Sequence, residues 1–481
     1  MTRRIIGPFN RVEGDLEVSL DIHDGVVREA KVNASLYRGF EHIMKGRPAF
    51  DALSITPRIC GICSVSQSVA ASAALAEALG IKPEPNGLLA TNLVHAAENL
   101  ADHLTHFYLF FMPDFARPVY DGRDWYADAQ RRFVAKAGTG AKQWLEARAR
   151  LLHVTGILAG KWPHTLAIQP GGLTRSPDDG ALMRLRSVVA DVRAFLQDTF
   201  FGLPLERIAE LDSRAAWDAA VEDGLAVRAD FAVFGAAARD LDLESLGRAY
   251  PRFMSFGAYH GADGAVFAPG VVEQGVVKAL DPASFSEDPS HAWLMGGIAH
   301  PMDGDTLPYA DREGAYSWCK APRVAGQPME VGAVARQLVA GQPLIRDLVG
   351  DGAANVFARI VGRLVESAHI VLTMEQWVTQ LKANAPVCAE SGTMQDGVGA
   401  GLVEAARGSL GHWLRVEKGQ IQHYQIIAPT TWNFSPRDGE GMPGPLEKAL
   451  EGTIVNEDDA TPAVVQHIVR SFDPCMVCTV H

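Results

Sequence analysis

The sequence predicts an α+β fold that is mainly helical, with a central bundle of long helices and small peripheral β-hairpins. Its N- and C-terminal segments are expected to meet at a buried metal site. Three observations predict this. Helical periodicity recurs over long stretches, while strict apolar alternation is confined to two hairpins, one near each end. Four of only six cysteines in 481 residues fall in two Cys-x-x-Cys pairs, Cys60/Cys63 and Cys475/Cys478, near opposite ends of the chain. Thiols three apart turn toward one centre and grip a soft metal. A self-contained zinc knuckle would bring its second pair about 15–20 residues after the first. If all four share a metal, the whole fold must close around it.

Composition narrows the classes. At 47% hydrophobic and 21% charged the chain can bury a sizeable core; its length suggests about three domains on a naive count and equally admits one large interlocked domain over residues 1–481. A formal net charge of −13 without any Lys/Arg block argues against a nucleic-acid surface. Arg3 and Arg4 are followed only by Ile5-Ile6-Gly7-Pro8, too short for a signal peptide. The apolar run Leu100–Met112 is interrupted by Asp102, His103 and His106, so no direct membrane insertion is expected. Few cysteines and no leader favour the cytoplasm.

In chain order, Leu16–Ile22 and Val26–Val32 alternate around Asp24-Gly25, an N-terminal hairpin within residues 12–35. Glu13 precedes it and Glu41 follows it; local sequence gives neither a role. The first thiol pair opens an Ala-rich helix, Ser64–Leu79, closed by Gly80. Cys63 at its N-terminus should gain from the dipole as thiolate, and Ala70, Ala71, Ala73 and Ala74 should let other helices approach. This stretch alone admits structural zinc or a reactive metal. The next helix, Leu88–Met112, is apolar nearly all round and therefore buried. His95, Asn99, Asp102 and His106 form one polar stripe on it, serving a site or an internal network. Helices are expected over Asp128–Leu152 and Leu182–Phe201, within a helical core at about 60–240 and 350–385. Residues 250–345 read as an irregular insert of loops and small strands. After a long helix at Ala353–Leu381, Val403–Arg407 leads into a C-terminal hairpin, Trp413–Val416 and Ile421–Ile427, turned at Lys418-Gly419. Thr461-Pro462 should cap a final helix to Phe472. The tail of the 403–481 segment then presents the second thiol pair. Cys319 and Cys388 are assigned no function.

Taken together, Arg-Ile-Cys-Gly-Ile-Cys at 58–63 and Asp-Pro-Cys-Met-Val-Cys-Thr-Val-His at 473–481 resemble the large subunit of a nickel–iron hydrogenase. Supporting matches are Arg-Val-Glu-Gly at 11–14, Arg-Gly-Phe-Glu at 38–41, Asp-His-Leu-Thr-His-Phe-Tyr at 102–108, Glu330-Val331-Gly332, Ala406-Arg407-Gly408 and Thr431-Trp432-Asn433. They span essentially the entire chain. Bottom-up chemistry agrees: dihydrogen is a very weak acid, so splitting it needs a Lewis-acidic metal and a base for the proton, and four thiolates make a soft, electron-rich nickel site.

The resemblance implies a role for each matching residue. Cys60 and Cys475 would be terminal nickel ligands, with Cys63 and Cys478 bridging nickel to an iron that carries two cyanides and one carbon monoxide. Arg407 would press its guanidinium on the centre and one cyanide; Pro429 and Thr430 would line the other. The proton would pass from Cys475 to Glu13, with Asp102 and Asp473 setting the charge around Arg407. Magnesium would be held by Glu41, the carbonyl of Phe434 and His481. Beyond the four ligands only Cys319 and Cys388 remain, too few for an iron–sulfur cluster. The clusters would lie in a separate small subunit, and metal-site maturation proteins would also be partners.

Within the family, the expected subclass is the cytoplasmic hydrogen-sensing regulatory group, signalling to a histidine kinase. Its marks are Ile62 and Phe110, bulkier than the Val and Leu of catalytic relatives at the gas-channel exit, and the chain's end at His481. Asp15, where many relatives carry His, alters the surroundings of Glu13. The alternative is an energy-converting uptake hydrogenase; a redox-inert complex I-like scaffold or a structural zinc protein fits the four thiols less well.

Overall fold

The computed structural model describes residues 2–261, 264–456 and 461–479. The chain starts with β1 (Thr2–Ile6), antiparallel to β2 (Leu16–His23), which pairs in turn with β3 (Val26–Ala34). Leu16, Val18, Leu20 and Ile22 are buried with Val27, Ala30 and Val32, as the alternation requires. Asp24 and Gly25 take φ of 52° and 71°, the two positive angles of a primed hairpin turn. β1 shows no alternation in sequence and was not predicted.

A short helix, α1 (Phe40–Met44), leads to α2 (Ser64–Leu79), which has its predicted bounds and ends on left-handed Gly80. α3 (Pro85–Thr105) starts on a proline in its first turn. Where one helix to Met112 is expected, the winding widens to a π-turn at His106–Phe111 and then tightens at Met112–Asp114. The π-turn carries Phe107 into edge-on contact, and Tyr108 into tilted contact, with Phe133 and Phe200. The expected helix over Asp128–Leu152 is two, Tyr126–Phe133 and Thr139–Leu151. The break falls where Lys136 takes a φ of 68° and Gly138 passes so close to the Arg132 carbonyl that a Cβ would lie 2.5 Å from it. Asp179–Phe195, Arg214–Ala226 and Asp230–Asp240 complete this helical region.

Residues 250–345 hold short strands, as expected, but also the helices Ala333–Ala340 and Pro343–Val349. These hide in sequence because glycines bracket them: Gly332 and Gly341 have φ of 132° and 82°. α4 (Val356–Gln380) is capped by the Asn355 side chain, which accepts from the Ala358 N–H at 2.8 Å.

The C-terminal hairpin is a three-stranded antiparallel sheet, β4 (Gly397–Ala405), β5 (Gly408–Glu417) and β6 (Gln420–Ile427). β4 begins six residues before Val403 because Gly397, Gly399 and Gly401 conceal its alternation. Those glycines lie flat on the Ala-rich face of α2. A Cβ on Gly401 would sit 1.9 Å from the Ala70 carbonyl, and one on Gly399 2.1 Å from that of Ala74. The closest visitor to that face is therefore a strand, where helices were expected. α5 (Pro429–Asn433), α6 (Ala463–Ser471) and α7 (Met476–Thr479) follow; α6 is N-capped by Pro462, one residue beyond the expected Thr461.

Two apolar clusters matter for the site. The larger holds α3, α4 and the first sheet; the second gathers α2 and β4–β6 around Cys60, Cys63, Cys475 and Cys478.

Candidate metal centre

Backbone pairing brings the two ends together. Glu13 and Cys475 form a parallel β-bridge, and the Met476 N–H donates to the Glu13 carbonyl at 2.7 Å. Asp473, at a φ of 56°, turns the chain out of α6 toward this bridge. From the loop before α1, the Arg38 guanidinium donates to the carbonyls of Arg58 (3.0 Å), Ile59 (2.6 Å) and Val477 (3.2 Å). One side chain thus ties the residues before Cys60 to the residue before Cys478.

The four sulfurs meet as the sequence predicts. Cys60 and Cys475 Sγ are 3.6 Å apart, Cys63 and Cys478 3.2 Å, and Cys475 and Cys478 2.9 Å. All four are buried and lie within 4.8 Å of one another. Contact with Cys475 and Cys478 holds the Cys60 thiol well below its ordinary range. Contact with Cys475 pushes Cys63 and Cys478 well up. Four thiolates this close repel one another unless a cation sits among them. Beside the dipole expected to favour the Cys63 thiolate, the neighbouring sulfurs act in the opposite sense, and the first amides of α2 are engaged elsewhere. The N–H groups of Val65 and Ser66 donate to the Glu98 carboxylate, each at 2.9 Å.

Beside the sulfurs, Arg407 spans two carboxylates, with Nη1 3.1 Å from Asp102 Oδ2 and Nη2 3.2 Å from Asp473 Oδ1. Burial pushes the Asp102 carboxyl well up against the pull of Arg407. Burial also opposes ionisation of Asp473, but Arg407 and His106 hold it below the usual carboxylate range. Arg407 Nε is buried with no hydrogen-bond partner among the described residues. Behind it, Arg336 donates to the carbonyls of Ala405 (2.8 Å) and Ala406 (3.1 Å) and pairs with Glu366 and Glu404. The Glu13 carboxyl is raised by burial and by the charge of Cys60, with Arg407 opposing.

The polar stripe of α3 divides. Asp102 faces the centre. His95 meets the Ser66 hydroxyl (3.1 Å), Asn99 donates to the Tyr259 hydroxyl (2.8 Å), and His106 bonds the Arg470 carbonyl (2.6 Å). Pro429 opens α5, and the Thr430 Oγ accepts from the Cys475 N–H at 3.1 Å, leaving its own hydrogen free to donate. Glu41 is buried and accepts from the Ile426 N–H at 3.2 Å; Phe434 is buried at the end of α5. His481 lies outside the described residues. Ile62 packs against the cluster that holds the cysteines. Phe110 is half-buried on the π-turn, its carbonyl accepting from Arg11 at 3.0 Å, and it does not belong to that cluster. Cys319 is a buried thiol pushed up by desolvation.

Sequence reasoning missed Glu98, Arg336, Glu366 and Glu404, and gave Arg38 no role although it opens the matching stretch 38–41. Glu98 was within reach of it: three residues after His95 and four before Asp102, it belongs to the same face of α3. The others act through contacts with residues far away in the chain.

A buried set of four soft donors, with an unpartnered guanidinium N–H and a raised carboxyl beside it, suits a thiolate-bound redox metal centre that moves protons. The family model for nickel-dependent hydrogenases matches residues 38–122 and 141–481. The periplasmic [NiFeSe] hydrogenase large subunit of Desulfomicrobium baculatum is 30% identical, covering 99% of this chain and 94% of its own. The quinone-reactive Ni/Fe-hydrogenase large chain of Wolinella succinogenes is 27% identical over 100% and 96%. The uptake hydrogenase large subunit of Rhodobacter capsulatus is 26% identical over 100% and 95%. Among solved structures, a reduced, active Ni-Fe-Se hydrogenase from Desulfomicrobium baculatum superposes with a TM-score of 0.86 at 29% identity, each chain fully covered.

The chain belongs to the nickel-dependent hydrogenases. It is a large subunit of that enzyme family, and its four buried cysteines are the candidate nickel site. These relatives overturn the cytoplasmic expectation, since periplasmic and quinone-reactive large subunits match the chain end to end. The cysteine count behind that expectation carries no weight, because four of the six thiols are metal ligands in any compartment.

Proposed function

We propose that this chain is the hydrogen-oxidising subunit of an uptake hydrogenase. The observation that carries this reading is the buried four-sulfur cradle closed from both chain ends, with the free Arg407 Nε beside it. The relatives named above have catalytic, uptake and quinone-reactive names. They favour uptake over hydrogen sensing and lend no support to a histidine kinase partner. Cysteine stands at all four positions, so sulfur alone is assigned here.

Cys60 and Cys475 would hold nickel, and Cys63 and Cys478 would serve both nickel and iron. When bound, the metals supply the Lewis acidity and electron acceptance that dihydrogen cleavage needs, with iron carrying two cyanides and one carbon monoxide. Arg407, through the Nε left unpaired among the described residues, and Thr430, through its hydroxyl hydrogen, would donate to the iron's cyanides, and Pro429 would exclude water beside them. Glu13, fixed next to Cys475 by the backbone bridge, accepts the proton and releases it outward. Its raised affinity for protons suits exchange nearer neutrality than an exposed carboxylate allows. Asp102, by a hydrogen bond, and Asp473, by its charge, hold the Arg407 guanidinium in place. Glu41, the Phe434 carbonyl and His481 would supply the oxygen and imidazole ligands of a magnesium ion, and the iron–sulfur clusters would reside in a small subunit. Ile62 narrows gas entry together with Phe110. Replacing both (Ile62→Val, Phe110→Leu) should make activity oxygen-sensitive, and unchanged tolerance would remove that assignment.

The test is to purify the complex with its small subunit and measure nickel, iron, infrared cyanide and carbonyl stretches, and hydrogen-dependent dye reduction. Zinc in place of nickel and iron, or missing stretches, sinks the reading. Glu13→Gln should retain the metals yet lose activity by about 10²–10⁴-fold.

A further inference from the structure

Cys63 is the N-cap residue of α2, yet its side chain makes no capping hydrogen bond. Glu98 of α3 does that work. Its Oε2 accepts from the Val65 N–H (2.9 Å), the Trp162 indole N–H (3.0 Å) and the Ser64 hydroxyl (3.4 Å). Its Oε1 accepts from the Ser66 N–H (2.9 Å) and the Ser66 hydroxyl (3.1 Å). Five donors converge on one carboxylate that is 1% exposed. The Ser64 hydroxyl accepts in turn from the His164 N–H (3.2 Å), and His164 Nδ1 bonds the Pro57 carbonyl (2.8 Å). The web encloses the segment 57–66, which carries both Cys60 and Cys63.

We propose that Glu98 is a positioning residue for the metal centre, locking the first turn of α2 and with it the Cys63 sulfur. The proposal rests on the reading of Cys63 as a metal ligand. An ionised carboxylate is acceptor-only and offers about four lone-pair sites, all of them occupied here by the two helix-start amides and three side-chain donors, one site being shared. Gln has the same shape but turns two N–H groups toward those donors, so the first turn must shift to relieve the clash of hydrogens. Cys63 immediately precedes the residues that would shift. Partners beyond the ligands typically change metal affinity by about 10–100-fold when replaced.

The experiment uses the complete complex with its small subunit and compares the parent with Glu98→Gln and Trp162→Phe. Nickel release to excess EDTA is followed alongside thermal unfolding and the infrared stretches of the iron ligands. Glu98→Gln should release nickel about 10–100-fold faster and shift the stretches. Trp162→Phe removes one donor, leaves the carboxylate in place, and should fall between parent and Glu98→Gln; it decides the matter if Glu98→Gln does not assemble. Parent-like nickel release with unmoved stretches, even at a lower melting temperature, would show that Glu98 is only a helix cap and overturn the proposal. A parent complex without nickel would overturn the ligand reading itself, and this inference with it.

Discussion

Arg407 illustrates how much depends on side-chain shape at a single residue. Its two Nη atoms each meet one carboxylate, Asp102 and Asp473, and its buried Nε has no hydrogen-bond partner among the described residues. Lysine keeps the charge, but its three N–H groups radiate from one nitrogen and cannot reproduce the planar fork that spans two carboxylates while presenting Nε. Arg407→Lys should therefore leave nickel and iron content unchanged and lower turnover by about 10²–10³-fold. Metal analysis beside dye-linked hydrogen oxidation checks both halves. A second prediction concerns Glu447, which accepts from the Val32 N–H (2.9 Å) and the Tyr316 hydroxyl (2.8 Å), joining the first sheet to the C-terminal segment. Burial pushes its carboxyl up to about 7. A carboxyl raised on folding stabilises the fold below its unfolded pKa, and that contribution disappears as pH rises through the folded value. Melting temperature should thus fall between pH ~4.5 and ~7, and Glu447→Gln should flatten that fall. Parallel melting curves for parent and variant across the window would expose the error.

Among the elements, those with a strong period were legible: the first hairpin and α2 form where alternation and Gly80 place them. Elements built on glycine were not. β4 carries no alternating side chains at 397, 399 and 401 because its function is to touch α2 with bare backbone, and a glycine strand looks like a loop. The seam between α2 and β4 orients Cys63 on one side and leads to Arg407 on the other, so it transmits any misfit to the site. Gly401→Ala puts a methyl where the Ala70 carbonyl stands, with backbone on both sides and nothing flexible to yield. It should cost about 1–3 kcal/mol and lower the melting temperature. Gly297→Ala, at an exposed position with nothing within 4 Å, should leave it unchanged. Equal melting temperatures for the two variants would mean that the seam can open without penalty.

For the molecule as a whole, the four cysteines were legible because the chemistry is written in spacing, and their meeting follows from one closure between head and tail. What holds that closure was not legible, since Arg38 lies far in sequence from the Val477 carbonyl it grips. Two forces compete to explain it. Val477 and Ile62 pack against the apolar cluster around the sulfurs, and this attraction has no direction. Arg38 instead fixes a register, because its donors meet carbonyls on both sides of the seam. Hydrogen bonds from a charged donor contribute about 1.5–3 kcal/mol, and partial exposure of Arg38 places it toward the lower end. If register matters more than attraction, Arg38→Met should keep the overall helix content yet speed amide hydrogen exchange in residues 473–479. It should also lower nickel and iron content together, since both metals need thiols from both ends. Arg38→Lys retains one donor and should recover part of the protection. Unchanged exchange in Arg38→Met would assign the closure to apolar packing and the Glu13–Cys475 bridge alone.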